Sequence, residues 1–268
     1  MKRTLSLIGY GEAARTFARA AGWGPAAAGW DLCPEARATL AQDGCLAGAS
    51  PEEALADAPL VLCLVTADQA LAAARDYAPL LRPGAIWADC NSVAPGTKRA
   101  AAQAVAAAGG RYVDVAILAP VEPARLAVPL LLAGPGAAAA YELLGAAGFA
   151  NRTLIGDQVG RASAIKLIRS VMVKGIEALT AEMMLAAEAA GVTDAVLSSL
   201  DESEKAQGWR QRVAYNIERM TTHGLRRAAE MEESAATLRE LGIEPVMTAG
   251  TVIRQRDMAG KDWKRNPA

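Results

Sequence analysis

Thr4-Leu5-Ser6-Leu7-Ile8-Gly9-Tyr10-Gly11-Glu12-Ala13-Ala14 begins with an apolar run, turns at two glycines and continues into a helix-forming segment. Residues Thr4 to Ile8 have the length and composition of a short buried strand, and Ala13 to Ala21 those of a helix. A Gly-x-Gly-x-x-Ala pattern carries meaning only in this context of strand, tight turn and helix. The first glycine permits the turn, the second lets a ligand approach the backbone, and the small Ala14 lets helix and strand pack closely. The helix start then presents unpaired N–H groups and the positive end of its dipole to an anion. Met1-Lys2-Arg3 could open a secretory signal, but the apolar run stops at Gly9, so the segment is read as a first strand.

A second strand, Ala26 to Trp30, ends in Asp31, 20 residues after Gly11. An acidic side chain at that place accepts hydrogen bonds from both ribose hydroxyls of an adenosine, so the N-terminal part is read as a dinucleotide-binding domain. Its cofactor contacts are assigned to Gly9, Tyr10, Gly11, Glu12, Ala13 and Asp31. The carboxylate favours NAD, because the additional phosphate of NADP would be repelled; Arg37 lies near enough to leave NADP open.

The alternation of strand and helix continues. Strands are expected at Pro59–Val65, Ala85–Asp89, Tyr112–Leu118, Pro129–Ala133 and Thr153–Ile155, and helices at Ala67–Tyr77, Pro95–Ala108 and Gly136–Ala146. Such near-continuous apolar strands suit a parallel sheet covered on both faces. Ligands of these sheets bind beyond the carboxyl ends of the strands. Val65 and Thr66 after one strand, and Asn91 and Ser92 after the next, therefore join the candidate site. Asn91 and Ser92 read equally well as a turn and a helix N-cap.

From Gly160 onward no strand pattern of any strength remains. The fold class is thus α/β: a Rossmann-type parallel-sheet domain over residues 1–158, then an all-helical domain over 159–268. Gly160 to Ala190 is expected as one helix of about 45 Å, ended by Gly191. Its residues Ile165, Ile168, Met172, Ile176, Leu179 and Met183 form a broad apolar face expected to pack in a core. Lys166, Ser170 and Lys174 form a polar row at i, i+4, i+8, which in its plain reading is solvated. Helices at Thr193–Leu200, Gly208–Met220, His223–Leu241 and Val246–Asp257 follow, and the charged tail Lys261–Ala268 is expected to fray. His223, the only histidine, is placed near a helix N-terminus.

Hydrophobic residues make up 52% of the 268 residues and charged ones 21%, enough for a sizeable core; the net charge of −1 gives no footprint for nucleic acid or an anionic membrane. No apolar run approaches a membrane span. Cys33, Cys45, Cys63 and Cys90 stand singly, without metal-ligand spacing, and read as core residues in a reducing cytoplasm; no metal site is expected. Near the carboxyl edge, Lys166 is the best-placed proton carrier, because a partly desolvated lysine can exchange a proton near neutral pH.

Gly9-x-Gly11-x-x-Ala14, the Asp89-x-Asn91-Ser92 loop, and Gly160 with Lys166 together resemble the β-hydroxyacid dehydrogenases, which include 3-hydroxyisobutyrate and 6-phosphogluconate dehydrogenases. The resemblance covers essentially the whole chain and is firmer in the nucleotide domain. It implies Lys166 as general acid/base, Ser92 near nicotinamide and substrate, Val65 and Thr66 along the cofactor cleft, and a homodimer or higher oligomer. Two departures concern the substrate. Ser170 stands where the family commonly has Asn, and Leu118-Ala119-Pro120-Val121-Glu122-Pro123 replaces a Ser-Gly-Gly loop that binds a carboxylate; Pro120 has no N–H to offer. The reading is an NAD(P)-dependent enzyme interconverting hydroxyl and carbonyl on a small metabolite, with Ser92 and Ser170 assisting Lys166. Its alternatives are an imine reductase and a nucleotide-binding protein without turnover.

Overall fold

The computed structural model describes residues 3–189, 191–203, 208–240 and 244–263, and the chain divides into two compact units, 1–166 and 167–268. In the first unit the strands are β1 (Leu5–Ile8), β2 (Ala27–Trp30), β3 (Leu46–Ala47), β4 (Leu60–Cys63), β5 (Ile86–Asp89), β6 (Arg111–Ile117), β7 (Leu130–Ala133) and β8 (Arg152–Leu154). They form one sheet in the order β3-β2-β1-β4-β5-β6-β7-β8. Between them run α1 (Glu12–Ala21), α2 (Pro34–Gln42), α3 (Pro51–Leu55), α4 (Ala70–Tyr77), α5 (Pro95–Ala107) and α6 (Ala137–Ala146). Two helices, α2 and α3, and the short edge strand β3 occupy the stretch between Asp31 and Pro59 that periodicity leaves blank.

Side chains alternate across the sheet, as strand geometry requires. Leu5, Leu7, Leu60, Leu62, Ile86, Ala88, Val113 and Val115 pack on one face with Phe17 and Phe149, whose rings meet edge to face at 4.9 Å. Ile8, Val61, Cys63, Trp87 and Tyr112 pack on the other. The central strands are buried on both sides, which is why their sequences read as unbroken apolar runs.

One strand departs from the expected parallel sheet. β7 runs antiparallel to β6, with Asp114 opposite Ala133 and Ile117 opposite Leu130, while β8 is parallel to β7. A parallel return needs a crossover, usually a helix, and the connection from Ile117 to Leu130 holds only the short 3₁₀ turn Arg125–Ala127.

The helix α7 (Arg161–Ala189) begins in the first unit and continues into the second. The second unit also holds α8 (Thr193–Ser203), α9 (Trp209–Glu240) and α10 (Val246–Met258). Gly191 closes α7 in the left-handed conformation, with its N–H on the Glu188 carbonyl. Where two helices are expected at 208–220 and 223–241, α9 is continuous. The β-branched pair Thr221-Thr222 is a weak helix former, but Thr221 Oγ1 donates to the Glu218 carbonyl at 3.2 Å and so satisfies itself within the helix. His223 is therefore half-buried in mid-helix and not at an N-terminus. Leu241, Gly242, Ala190 and the end of the tail, 264–268, lie outside the described residues.

The apolar face expected on α7 is reversed. Ile165, Ile168, Met172 and Ile176 are all substantially exposed, while Ser170 and Lys174 of the polar row are buried. The side chains of Leu179 and Met183 lie outside the described residues. The polar row turns inward because it finds partners there: Lys174 pairs with Glu230, and three residues on, Glu177 pairs with Arg227 and accepts from Gln255 Nε2 at 3.2 Å.

Helices α9 and α10 approach closely at Gly224, where an added Cβ would meet the Gln255 carbonyl oxygen at 2.3 Å and Ala259 Cβ at 2.9 Å. In α10, a Cβ on Gly250 would meet nothing within 4 Å. The same substitution should therefore have opposite signs at the two places. Gly250→Ala is expected to stabilise by up to about 1 kcal/mol through helix propensity. Gly224→Ala is expected to destabilise by about 2 kcal/mol, because overpacking outweighs that gain. Denaturant unfolding of both variants checks the pair, and a stabilised Gly224→Ala would refute the packing argument.

Candidate functional site

The carboxyl ends of β1 and β4, where the strand order reverses, open onto a cavity of about 370 Å³. Gly9, Gly11, Asp31, Val65 and Thr66 all line it. Gly9 makes the turn possible: its φ is +88°, and a Cβ there would lie 2.5 Å from the Leu64 carbonyl oxygen. A Cβ at Gly11 would project into open space, so this backbone is bare on the side where the first turn of α1 presents its N–H groups. Sequence reasoning missed the wall opposite, formed by Ala72, Ala73, Asp76 and Tyr77 of α4. Their i, i+1, i+4, i+5 spacing marks one helix face, a signal present in the sequence.

Tyr10, Glu12 and Ala13 do not line the cavity. The Tyr10 ring is buried and its hydroxyl donates to Asp43 Oδ2 at 2.9 Å; burial first, and then this bond, raise its pKa above the ordinary range. Its backbone N–H donates to Asp31 Oδ2 at 2.7 Å, while the Cys33 N–H donates to Asp31 Oδ1 at 2.8 Å. The carboxylate is thus aimed by two backbone amides, and each oxygen keeps acceptor capacity for a ligand. Glu12 is exposed at the start of α1 and Ala13 is half-buried beside it. Arg37 lies with its guanidinium 4.6 Å above the Trp30 ring and donates to the carbonyls of Asp31 and Leu32 at 2.7 and 3.1 Å.

At the end of β5 and beside it in the middle of β6 a second group of polar residues is buried. Asp89 Oδ1 accepts from the Asn91 backbone N–H at 2.9 Å and from Asn91 Nδ2 at 2.8 Å, so Asn91 acts as a turn residue. Asn91 Oδ1 is buried and has no hydrogen-bond partner. Next along the loop, Ser92 Oγ accepts a hydrogen bond from Lys166 Nζ, joining residues 74 apart in sequence; Lys166 is half-buried. Ser170 follows one turn later on α7, is buried, and belongs to the second unit. Lys174 is occupied by Glu230, and burial pulls its pKa below the ordinary lysine value although that carboxylate opposes the shift.

Sequence reasoning also missed Lys98, Tyr112, Asp114 and Ser163, which hold the Ser92 loop and the start of α7 in place. Nothing in a one-dimensional pattern distinguishes Lys98 from a surface lysine of α5, yet it is fully buried. Among the described residues no group of three His, Cys, Asp or Glu could hold a metal ion, and no helix is long and apolar enough to cross a membrane.

The residues at the cavity fit a dinucleotide: a bare glycine turn at a helix start, an amide-aimed carboxylate at the end of β2, and apolar walls. Comparison with known proteins agrees. Residues 4–147 match the model of the NAD binding domain of 6-phosphogluconate dehydrogenase, and residues 187–258 match a domain of unknown function, DUF1932. A conserved hypothetical protein from Sinorhizobium meliloti 1021 is 36% identical over 100% of this chain and 92% of its own, with a TM-score of 0.77. The conserved protein MTH1747 of unknown function, described as structurally similar to 3-hydroxyacid dehydrogenases, is 28% identical over 95% of this chain and 96% of its own, at 0.73. An imine reductase from Aspergillus terreus, in complex with NADPH4 and dibenz[c,e]azepine, shares the fold at 21% identity and a TM-score of 0.63, covering 98% and 97%. No curated protein matches the chain in sequence.

The cysteines offer a check on this part of the structure. Cys33 is exposed at the cavity rim, whereas burial raises the pKa of Cys45 and Cys63 and pushes Cys90 up to about 12. A thiol reagent such as DTNB should titrate a single thiol, Cys33, in the native protein and all four in denaturant. Rapid reaction of a second thiol under native conditions would contradict the buried placement.

Proposed function

Because the chain belongs to the family built on the NAD binding domain of 6-phosphogluconate dehydrogenase, we propose that it is an NAD(P)-dependent oxidoreductase interconverting hydroxyl and carbonyl on a small hydroxyacid or near analogue. The observation that carries this reading is the hydrogen bond from Lys166 to Ser92 at the carboxyl edge of the sheet that also bears the glycine cradle. A bound nicotinamide supplies or accepts the hydride. The chain must then manage one proton, and Lys166 is the residue for it: its ammonium donates to a carbonyl oxygen in reduction, and its neutral amine accepts the hydroxyl proton in oxidation. Ser92 fixes the Nζ position, and Ser170, one turn on, is the third member of the assignment.

Asp31 supports NAD as the preferred form. Its carboxylate is held by the Tyr10 and Cys33 amides, and Arg37, which would be the natural partner of an additional phosphate, is occupied by Trp30 and two backbone carbonyls. The exposed Ile165, Ile168, Met172 and Ile176 on α7 support a homo-oligomer, since a second copy would cover them. Four free thiols suit a reducing cytoplasm. Ala119 and Pro120 are exposed after β6, where Pro120 removes a carboxylate-binding amide. That loop, with the shared fold of the imine reductase, favours imine reduction as the second reading.

An absorbance screen with NAD(H) and NADP(H) against 3-hydroxyacids, sugar acids and cyclic imines separates the two, and failure on every class with intact NADH binding would leave a nucleotide-binding protein. On an active substrate, Lys166→Ala should lower kcat by a factor of about 100 or more with the NADH dissociation constant nearly unchanged. Near-normal turnover in that variant would remove Lys166 from the mechanism. Asp31→Ser should erode the preference for NAD by about tenfold in kcat/KM, on the scale of one lost charged hydrogen bond.

A further inference from the structure

We propose that Lys98 is a positioning residue whose buried ammonium, set between Asp89 and Asp114, ties the loop carrying Ser92 to the helix start carrying Lys166. The catalytic part of this inference rests on the Lys166–Ser92 reading above; the tie itself does not.

Asp89 and Asp114 are paired in register on adjacent strands β5 and β6, and both are fully buried. Lys98, in the first turn of α5, donates from Nζ to the Asp89 carbonyl at 2.7 Å and to Asp89 Oδ1 at 3.0 Å. The same Nζ stands 3.4 Å from Asp114 Oδ1, an ion-pair distance at which that oxygen makes no hydrogen bond. The side chains of all three residues are fully shielded from solvent.

Each carboxylate spends its remaining capacity on one half of the proton-transfer pair. Asp89 Oδ1 accepts from the Asn91 backbone and side chain, fixing the loop that continues into Ser92, while Oδ2 accepts from the Tyr112 hydroxyl at 2.6 Å. Asp114 Oδ2 accepts from the backbone N–H groups of Gly160 and Ser163 at 3.1 and 3.0 Å and from Ser163 Oγ at 3.3 Å. A carboxylate from β6 thus caps the N-terminus of α7 at Gly160 and Ser163, within six residues of Lys166, and meets the positive end of the helix dipole. Two carboxylates on adjacent strands repel, and the Lys98 charge between them offsets that repulsion. Burial opposes that charge, but Asp89 and Asp114 outweigh it and hold the lysine pKa above its ordinary value. Removing the cation takes away the partner that the two buried carboxyl groups share, and the two segments they anchor lose their common reference.

The test compares the full chain with Lys98→Met, which keeps an unbranched side chain one atom shorter and removes its charge. Amide hydrogen exchange reads the tie without any substrate: uptake should rise at both 89–93 and 160–166, with residues 5–14 unchanged. NADH titration should give a dissociation constant within about twofold of the parent, while kcat on an active substrate falls between about tenfold and hundredfold with KM little changed, as expected for a displaced reacting pair. Unchanged exchange at 160–166, or a loss of kcat matched by an equal loss of NADH-binding sites, would overturn the proposal. If Lys98→Met does not fold, Asp114→Asn takes its place. It retains the Asp89–Lys98 pair and should raise exchange at 160–166 alone while lowering kcat; parental exchange there overturns the tie. Full turnover in Lys166→Ala would sink the proton-transfer reading, yet the exchange data would still decide whether Lys98 joins the two segments.

Discussion

Two buried carboxylates on neighbouring strands repel each other unless a cation stands between them, and the anchoring of the Ser92 loop and of the start of α7 follows from that constraint. Asp89, at the end of β5, and Asp114, in the middle of β6, are fully buried. Lys98 meets both. Asp89 then shapes the loop after β5, and Asp114 caps α7. The sheet edge that would otherwise end in two flexible connections ends in two fixed ones, and Lys166 reaches Ser92 across 74 residues of sequence because both ends of that reach are anchored.

The cofactor cavity obeys a different rule, that of shape. Its position comes from the strand order, which reverses between β2-β1 and β4-β5 and parts the connections on either side. The Gly9 turn then brings the backbone against Leu64, closer than any side chain would allow. Among the polar residues that line the cavity, Asp31 is oriented by two backbone amides before a ligand arrives. A preorganised acceptor of this kind costs little to engage, because its geometry is already set by β1 and β2.

These two parts of the molecule differ in how far a sequence reveals them. The glycine turn, Asp31 and the buried strands are local: their meaning lies in spacing within ten or twenty residues, and the parallel-sheet domain followed by helices was legible from them. Where spacing misled, a partner distant in sequence was responsible. The apolar residues Ile165, Ile168, Met172 and Ile176 have the period of a core face, but they are exposed because Lys174 and Glu177 find Glu230 and Arg227 on the opposite side of α7. Thr221-Thr222 reads as a break and is none, since Thr221 bonds within its own turn and α10 packs against Gly224. Lys98 has no local signature at all. Its role depends on carboxylates 9 residues before it and 16 residues after it, brought together only by the pairing of β5 with β6.

The buried ions of the second unit raise the question of what such pairs contribute. Desolvating Glu177 and Arg227 is costly, and a well-packed apolar pair of similar size would serve stability at least as well. What an apolar pair does not do is fix register. Sliding α9 along α7 by one turn, about 5.4 Å, would still bury methyl groups against methyl groups. It would also part Arg227 from Glu177 and Glu230 from Lys174, stranding charges away from water. With the methionine-rich interior at Met184, Met220 and Met258 offering little shape preference, the ionic pairs are the elements that make one alignment of α7, α9 and α10 better than its neighbours. That alignment also directs the apolar side of α7 outward, so the same pairs that order the helices determine which surface of α7 is left uncovered.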